Sequence, residues 1–428
     1  MQIGAIKKMF FGRLLLFSFL GAFILNNSSG RTTIERDGSG FELIFEGQKF
    51  EVKGVAGEIY LEKLKAYGGN TIRTWSISKE ILDTAHKNGL KVIAGIWVQH
   101  VRHGFNYEDR SFIKNQRNEV KAIVRKYRNH PALLAWGLGN EVELHVPEDQ
   151  LKLIWTEMNT LAEIVKTADQ EHPIMSAVAG FDEKKIKDIK RYYPELDILG
   201  VNAYGFSHRV GELLKDYGWK KPYMITEFGP IGPWEVGDDK TDWGAALEES
   251  SHEKAKRYRL AHETAIRENP RRCLGTFPFY WGFKQETTTT WFGMLLPNGA
   301  HLEAVDTMAE AWTGRLPTNR VPEIHYLKSS AKLKKIKKGS LHKASIKVID
   351  HENDLLNYYW VLMEESQEES AGGDYEDTPE SYPKLILKNN GPDVVFRAPR
   401  AKGAYRLFVY VQDSNLGAAT ANFPFYVR

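Results

Sequence analysis

The chain has 428 residues, of which 42% are apolar and 12% aromatic, and its formal net charge is +3. This length leaves room for two domains, and the ordinary apolar fraction excludes a wholly disordered chain. A single cysteine, Cys273, excludes an intrachain disulfide framework and any metal site built from several cysteines. We predict that this cysteine is simply a small buried residue.

The N-terminus has the pattern of an export signal. Lys7, Lys8 and Arg13 precede an apolar run at 14–25 that is shorter than the ~20 residues of a membrane span. We therefore predict that residues 1–30 form a signal peptide that directs the protein to the periplasm, the cell surface or the medium; an uncleaved anchor is the alternative. These three basic residues are the only charges in the segment, so its removal lowers the formal net charge from +3 to zero. A neutral mature chain gives no electrostatic reason to expect a nucleic acid partner.

From about residue 50, short apolar runs alternate with longer amphipathic ones, which is the pattern of βα units in a parallel sheet. Eight consecutive units predict an α/β fold, a closed (β/α)8 barrel (a TIM barrel), which we assign to residues 31–318. The predicted strands are 51–55, 70–75, 91–97, 133–139, 174–179, 197–202, 222–227 and 274–281. The predicted helices lie near 58–67, 78–88, 113–128, 148–169, 182–192, 209–217, 246–268 and 304–312.

The remainder of the chain has a different pattern of apolar and charged residues. Residues 319–343 are predicted to be a Lys-rich linker, and the short alternating runs of 344–428 predict a small all-β, Ig-like sandwich domain. Within it, the acidic stretch 364–380 lacks apolar spacing and is expected to be a solvated loop. This domain either binds sugar or acts as a structural spacer, and the sequence does not distinguish the two.

Polar and aromatic residues gather at the carboxyl ends of the predicted barrel strands, which is where barrels of this kind place their active sites. Scattered core residues would not segregate to one rim in this way. The residues concerned are Arg73 and Trp75 on strand two, Trp97 on strand three, Asn140 and Glu141 after strand four, Asn202 and Tyr204 after strand six, Glu227 on strand seven and Trp281 on strand eight.

Three motifs carry a family resemblance. WGLGNE at 136–141 and ITEFG at 225–229 resemble the signature of glycoside hydrolase clan A, which includes the family 2 glycosidases. GGNTIRTW at 68–75 is similar to the second-strand motif of family 2 and of the fungal β-1,3-glucanosyltransferases. The N-terminal jelly-roll and sandwich domains of family 2 enzymes do not fit into residues 31–50, so the family within the clan stays open.

The resemblance implies a retaining mechanism in which Glu141 is the acid/base and Glu227 the nucleophile. Such a mechanism needs two carboxyl groups about 5–5.5 Å apart. The ends of strands four and seven face each other across the barrel mouth, so these glutamates can meet that requirement. An unpaired carboxylate at an apolar strand end is costly, which argues against a purely structural role. The substrate-binding residues that we predict are Arg73, Asn140, Asn202, Tyr204, Trp97 and Trp281.

Several of these residues have a structural alternative. By the resemblance Asn140 contacts the sugar 2-hydroxyl and Trp281 floors the pocket, whereas Arg73 either keeps Glu227 ionised or forms only a structural ion pair. Tyr204 either donates a hydrogen bond to the nucleophile or only packs at the rim. We expect His100 and His103 to line a subsite rather than bind a metal. Trp234 and Trp243 either stack on a sugar or only pack against the protein. Glu143 is expected to be a carboxylate in a surface loop.

These expectations define a retaining O-glycosyl hydrolase that cleaves a β-linked oligo- or polysaccharide, with β-glucan as the favoured substrate. No cofactor, no metal and no obligatory protein partner are predicted. A transglycosidase of the same fold, in which a sugar hydroxyl replaces water, is the first alternative. A carbohydrate-binding protein without catalysis is the second, and retention of both glutamates argues against it.

Overall fold

A computed structural model describes residues 30–368 and 373–428 of the chain. The predicted signal segment lies outside these residues except for Gly30. Among the described residues, no helix is both long enough and apolar enough to cross a bilayer.

A small antiparallel sheet precedes the barrel and covers its amino end. Its strands are β1 (Thr32–Arg36), β2 (Phe41–Phe45) and β3 (Gln48–Lys49). The backbone N–H of Thr32 donates to the carbonyl of Glu171, and that of Phe41 donates to the carbonyl of Arg271. Because residues 171 and 271 immediately precede two barrel strands, these bonds place the sheet against the amino ends of the strands.

The barrel follows the predicted order closely. Its eight parallel strands lie side by side in chain order, and the N–H of Trp281 donates to the carbonyl of Ala56 at 2.9 Å between the last and the first strand. We refer to these strands as barrel strands one to eight. They are β4 (Gly54–Ala56), β5 (Thr71–Arg73), β6 (Lys91–Ile96), β7 (Leu133–Asn140), β8 (Ile174–Ala179), β9 (Ile198–Asn202), β10 (Tyr223–Phe228) and β11 (Cys273–Pro278).

A helix follows each barrel strand. Several helices begin at a residue whose side chain caps the first turn: Ser78 accepts from the N–H of Ile81, and Asp109 accepts from the N–H of Ser111 at 2.7 Å. The helices are α1 (Leu61–Ala66), α2 (Lys79–Lys87), α3 (Arg110–Tyr127), α4 (Glu148–Ala168), α5 (Glu183–Tyr192), α6 (Val210–Asp216), α7 (Ser251–Glu268) and α8 (Glu303–Thr313).

Two apolar layers hold the barrel together. One lies between strands and helices and includes Leu64, Trp155 and Ile189; the other fills the barrel and includes Ile93 and Met224. Every residue of β7 is buried, as expected for a parallel strand covered on both faces. Cys273 is free and buried, as predicted. The bottom and middle of the barrel are therefore packed, and polar side chains collect at its open carboxyl end.

The C-terminal domain consists of two four-stranded sheets that enclose one apolar core. One sheet has the order β12–β14–β17–β16 and the other β13–β19–β18–β15. The prediction of a sandwich is confirmed, but its start was wrong, because the Lys-rich stretch 319–343 is not a linker and already contributes β12, β13 and the beginning of β14. The strands are β12 (Glu323–Ser329), β13 (Lys335–Ile336), β14 (Leu341–Ile349), β15 (Asn357–Glu364), β16 (Ile386–Asn390), β17 (Asp393–Arg397), β18 (Gly403–Gln412) and β19 (Ala418–Val427).

The two domains share a buried polar interface. Glu248 of the barrel accepts hydrogen bonds from Thr288 and from Asn422 of β19, each at 2.6 Å, and it pairs with Lys254. In the sandwich, Arg406 pairs with Glu365 and also donates to the carbonyl of Ala246 in the barrel at 2.7 Å. Buried charges are tolerated only when paired and hydrogen-bonded, so these contacts fix how one domain sits on the other.

Candidate active site

A cavity of about 850 Å3 opens at the carboxyl end of the barrel. Of the eight predicted site residues, six line it: Trp97, Asn140, Glu141, Asn202, Tyr204 and Glu227. Arg73 lies directly behind this surface, because its side chain is only 2% exposed and contacts two of the lining residues. Trp281 lies elsewhere, as described below.

Glu227 is held from two sides. It lies on barrel strand seven, and Nη1 of Arg73 donates to its Oε1 at 2.7 Å while the hydroxyl of Tyr204 donates to its Oε2 at 2.8 Å. Both carboxylate oxygens thus accept a bond from a buried donor, and one donor is a cation. A nearby positive charge and hydrogen bonds to the charged form favour an ionised carboxylate. The arrangement orients Glu227 and stabilises its negative charge.

Glu141 has a different environment. Among the residues that the structure describes, the side-chain amide of Asn202 is the one donor to it, with Nδ2 2.7 Å from Oε1. Burial, and then the negative charge of Glu227, raise the pKa of Glu141 to about 8, and the bond from Asn202 only partly opposes this effect. A carboxyl group in this setting carries a proton at neutral pH and can act as an acid.

A continuous chain of hydrogen bonds joins the two glutamates beneath the cavity. Arg73 donates to Glu227 through Nη1 and to Oδ1 of Asn140 through Nη2, the latter at 2.5 Å. Asn202 donates to both Asn140 and Glu141, and its own Oδ1 accepts from Thr226 at 2.7 Å. This chain sets the amide orientations and fixes the two carboxyl groups relative to each other.

The backbone turns sharply where Glu141 leaves barrel strand four. Glu141 has φ 50°, in the left-handed region, and its N–H still donates to the carbonyl of Ala177 at 2.8 Å. A residue with a side chain in this conformation costs roughly 1–2 kcal/mol, so the neighbouring sheet must enforce it. Gly139 has φ 72°, and a Cβ there would lie 3.0 Å from Val142 Cγ1. The two positive φ angles direct the Glu141 side chain into the cavity.

Aromatic rings form much of the cavity wall. Trp97 stacks on His100, with ring centroids 4.8 Å apart, and Trp234 meets the ring of Tyr204 edge-on at 5.4 Å. Burial lowers the pKa of His100 to about 4, so this imidazole is neutral. Flat apolar rings beside a few polar groups suit the C–H faces and hydroxyls of a sugar. The aromatic residues that line the cavity are Trp75, Trp97, Tyr204, Phe206, Trp234, Phe279 and Tyr280.

Trp281 and Trp243 do not reach this wall. Trp281 is fully buried, and its indole N–H donates to the carbonyl of Ile59 at 2.8 Å. We expected Trp281 to floor the pocket, but β11 ends at Pro278, and the aromatic residues after it that line the cavity are Phe279 and Tyr280. Trp243 packs against a ring of the sandwich domain, that of Tyr426.

Glu143 is buried, which differs from its prediction as a surface carboxylate. Its Oε1 accepts a bond from Nζ of Lys185 and one from the N–H of Ala179, both at 2.8 Å. These contacts join the segment after barrel strand four to the end of strand five. Glu143 therefore positions the segment that carries Glu141 and does not line the cavity.

The structure adds charged residues that the sequence reasoning missed. Arg102, Lys284, Glu286 and Asp374 all line the cavity. Burial raises the pKa of Glu286, whose carboxylate pairs with Lys284 at 2.7 Å. The position of Lys284 and Glu286 just after barrel strand eight was a usable signal, whereas Asp374 comes from the sandwich domain and has no local signal in the sequence.

Within the part of the chain that the structure describes, two clusters outside the cavity have donor atoms close enough together for a metal ion, within 4.8 Å of one another. One combines two imidazoles with a carboxylate and the other combines three carboxylates. Neither contains a residue that lines the cavity. Their members are His252, Glu323 and His325 in the first cluster and Asp350, Asp354 and Asp413 in the second.

Comparison with known proteins supports the fold. Residues 46–232, a stretch that includes both glutamates, match the family model "Glycosyl hydrolases family 2, TIM barrel domain". A curated relative is the "probable mannan endo-1,4-beta-mannosidase A" of Aspergillus clavatus, which is 23% identical over 245 residues. That alignment covers 52% of this chain and 60% of the relative.

Solved structures of similar fold include two β-glucuronidases. Beta-glucuronidase 2 of Bacteroides uniformis, bound covalently to cyclophellitol-6-carboxylate aziridine, has a TM-score of 0.51 at 15% identity, over 93% of this chain and 48% of that one. The Dictyoglomus thermophilum enzyme has a TM-score of 0.51 at 17% identity, over 67% of this chain and 54% of that one. The chain thus spans about half the length of these structures, and at such identities the likeness concerns the fold.

The family match, the clan A motifs at the ends of barrel strands four and seven, and the eightfold architecture agree with one another. The barrel of this chain is therefore similar to the TIM barrel domain of the family 2 glycosyl hydrolases, as its clan A motifs predict.

Proposed function

We propose that this protein hydrolyses a β-linked glycan with retention of configuration at the anomeric carbon. The observation that carries the proposal is the contrast between Glu141 and Glu227, which line one cavity but have opposite charge environments. A retaining glycosidase needs one protonated and one ionised carboxyl group at its reacting centre. The match to the family 2 barrel, which includes both residues, supports the same assignment.

In the first step, the ionised Glu227 attacks the anomeric carbon while the protonated Glu141 gives its proton to the glycosidic oxygen. The bond between the anomeric carbon and that oxygen breaks, and the aglycone leaves as a neutral alcohol. A glycosyl ester of Glu227 remains. Arg73 and Tyr204 hold Glu227 in the orientation for attack, and Asn140, fixed by Arg73, can bond a sugar hydroxyl through its remaining amide hydrogens.

In the second step, Glu141 removes a proton from water, and the resulting hydroxide attacks the anomeric carbon and releases Glu227. The structure suggests why one residue can serve both steps. The negative charge of Glu227 is one cause of the raised pKa of Glu141, and ester formation removes that charge. The pKa of Glu141 then falls, which suits its change from acid to base.

For the substrate, we propose a β-linked polysaccharide or its oligosaccharides, with β-glucan first. β-1,4-Mannan is the second candidate, because the curated relative is named a mannan-cleaving enzyme. The aromatic wall and the size of the cavity are compatible with a chain of several sugar units.

A substrate panel tests the proposal. The purified protein is incubated with β-1,3- and β-1,4-glucan, β-1,4-mannan and the 4-nitrophenyl β-glycosides of glucose, mannose, galactose and glucuronic acid. We expect cleavage of at least one β-linked substrate, with the β-anomer as the first product by NMR. Formation of the α-anomer first would contradict retention, longer products would indicate transglycosylation, and inactivity on the whole panel would contradict the hydrolase.

We further propose that residues 1–30 export the protein, on the pattern of charge and apolarity described above. Expression of the full chain with a C-terminal tag, followed by cell fractionation and mass spectrometry of the N-terminus, tests this. Recovery of the uncleaved chain in the cytoplasm would contradict export.

A further inference from the structure

A segment of the sandwich domain reaches the active-site cavity. Residues 373–376 belong to the connection between β15 and β16, far along the chain from the barrel. Gly373 and Asp374 nevertheless line the same cavity as Glu141 and Glu227. The acidic stretch was predicted to be a solvated loop, and residues 373–376 do form a loop in which Gly373 and Tyr375 are exposed, but Glu376 is buried.

The segment is bound to two separate loops of the barrel. After barrel strand three, Arg102 pairs with Oδ2 of Asp374 at 2.5 Å, and His103 lies 3.2 Å from its Oδ1. After barrel strand eight, Nζ of Lys284 donates to the carbonyl of Gly373 at 2.9 Å. Because strands one and two lie between strands eight and three in a closed barrel, the segment bridges that part of the rim.

Further contacts anchor the segment on the strand-eight side. The buried carboxylate of Glu376 accepts the backbone N–H of Thr287 at 2.7 Å. Lys284 is itself paired with Glu286, which is also buried. Hydrogen bonds with a charged partner are stronger than neutral ones, and here they offset the entropy lost when a loop is ordered. The segment is thus part of the cavity wall.

The surroundings of Asp374 have the composition of a sugar subsite. Its side chain is 42% exposed, so its carboxylate oxygens can accept further bonds, and Arg102 faces the same cavity with a guanidinium group. The ring of Trp97, stacked on His100 and in line with His103, forms the adjoining wall. A carboxylate, a guanidinium group and an aromatic face together can bind the hydroxyls and the C–H face of one pyranose ring.

We propose that Asp374, supplied by the sandwich domain, is a specificity-determining residue that binds hydroxyl groups of a glycan unit next to the cleavage site. Its partners are Arg102 and His103, whereas those of the two glutamates are Arg73, Tyr204 and Asn202, so its subsite lies outside the reacting centre. This inference rests on the proposed function. It also assigns a role to the second domain, which completes the binding cleft rather than acting as a spacer.

The test compares Asp374→Ala with Asp377→Ala, an equal loss of charge at an exposed position that directly follows the segment and does not line the cavity. Kinetics are measured on cello-, laminari- and mannohexaose and on the matching 4-nitrophenyl monosaccharides. For Asp374→Ala we expect KM for the hexaose to rise about 10-fold or more, since a hydrogen bond to a charged group is lost. The rise should be at least fivefold larger than that for the monosaccharide, and Asp374→Asn should recover part of it.

Binding provides a readout that does not depend on turnover. Calorimetric titration of the same hexaoses into Glu227→Gln and into Glu227→Gln with Asp374→Ala should show a Kd about 10-fold weaker for the double variant. Equal Kd values, or an Asp374→Ala variant that behaves like Asp377→Ala, would overturn the subsite. Equal losses on hexaose and monosaccharide would also overturn it, as a general structural effect. A wild-type protein that binds hexaose without cleaving anything would refute the hydrolase alone.

Discussion

The Glu227 side and the Glu141 side of the cleft differ in the donors that surround their carboxyl groups. On the strand-seven side, a buried guanidinium group and a phenol hydroxyl each donate to Glu227. On the strand-four side, Glu141 receives one amide bond from Asn202 and no direct bond from a cation among the described residues. The residue type is the same on both sides, but burial and the charge of Glu227 raise the pKa of Glu141.

The difference explains how two glutamates in one cavity can divide acid and nucleophilic work. Arg73 sits closer to Glu227 than to Glu141 and bonds it directly, so its charge stabilises one carboxylate much more than the other. The ionised Glu227 then disfavours a second negative charge on Glu141. Two carboxyl groups that interact in this way titrate as a pair, so each substitution is expected to alter both.

The largest effect should follow from removal of the nucleophile. Glu227→Gln retains the shape of the side chain but cannot form the glycosyl ester, so kcat should fall on the order of 10⁴-fold or more. Turnover of the best panel substrate measures this. Glu235→Gln, another carboxylate that lines the cavity, is the matched control and should cost far less. Similar losses in both variants would show that Glu227 has no special role.

Removal of the acid should have an effect that depends on the leaving group. Glu141→Ala should lower the rate of glycoside cleavage by about 10²–10⁴-fold for a sugar leaving group, since general acid catalysis contributes in that range. A 2,4-dinitrophenyl glycoside needs no proton, so its glycosylation step should be much less affected and should appear as a burst in stopped-flow measurements. The same loss with both leaving groups would contradict the acid role.

The two glutamates and Asp374 differ in how far the sequence predicts their positions. Both glutamates follow apolar strands in a regular βα series, so local periodicity and the motifs place them on one rim. Asp374 is brought to that rim only by the packing of the second domain, and no local pattern encodes such a contact. Trp281 was assigned to the pocket because it ends the predicted strand, but the strand ends at Pro278 and the chain beyond it no longer alternates regularly.

The failure to predict strand β12 from the sequence also has a physical cause. Only Ile324 and Leu327 of its seven residues are buried, and its register shifts between Ile324 and Tyr326 where it pairs with β14. The bulge breaks the alternation of apolar and polar residues by which a half-buried strand is identified. Lys328, the one lysine of β12, is exposed, and the further lysines after the strand complete the resemblance to a linker.

The pH dependence of activity tests whether the pKa of Glu141 is raised. Catalysis requires protonated Glu141, so kcat/KM must fall as pH rises through its pKa. Because burial and Glu227 raise that pKa to about 8, the alkaline limb should lie well above the ordinary glutamate range near ~4.3. The limb is measured with a sugar leaving group and should vanish in Glu141→Gln with an activated aryl glycoside. An alkaline limb below pH 6 would mean that Glu227 does not influence Glu141 as the structure indicates.

The smallest effect should come from Tyr204, whose ring and hydroxyl have separate roles. Tyr204→Phe keeps the edge-on contacts with Trp234 and Phe279 but removes the bond to Oε2 of Glu227. We expect kcat to fall roughly 10-fold, because one hydrogen bond to a charged group is lost. The melting temperature should change little. If Tyr204 only packs, kcat will not change, and Arg73 alone will orient the carboxylate of Glu227.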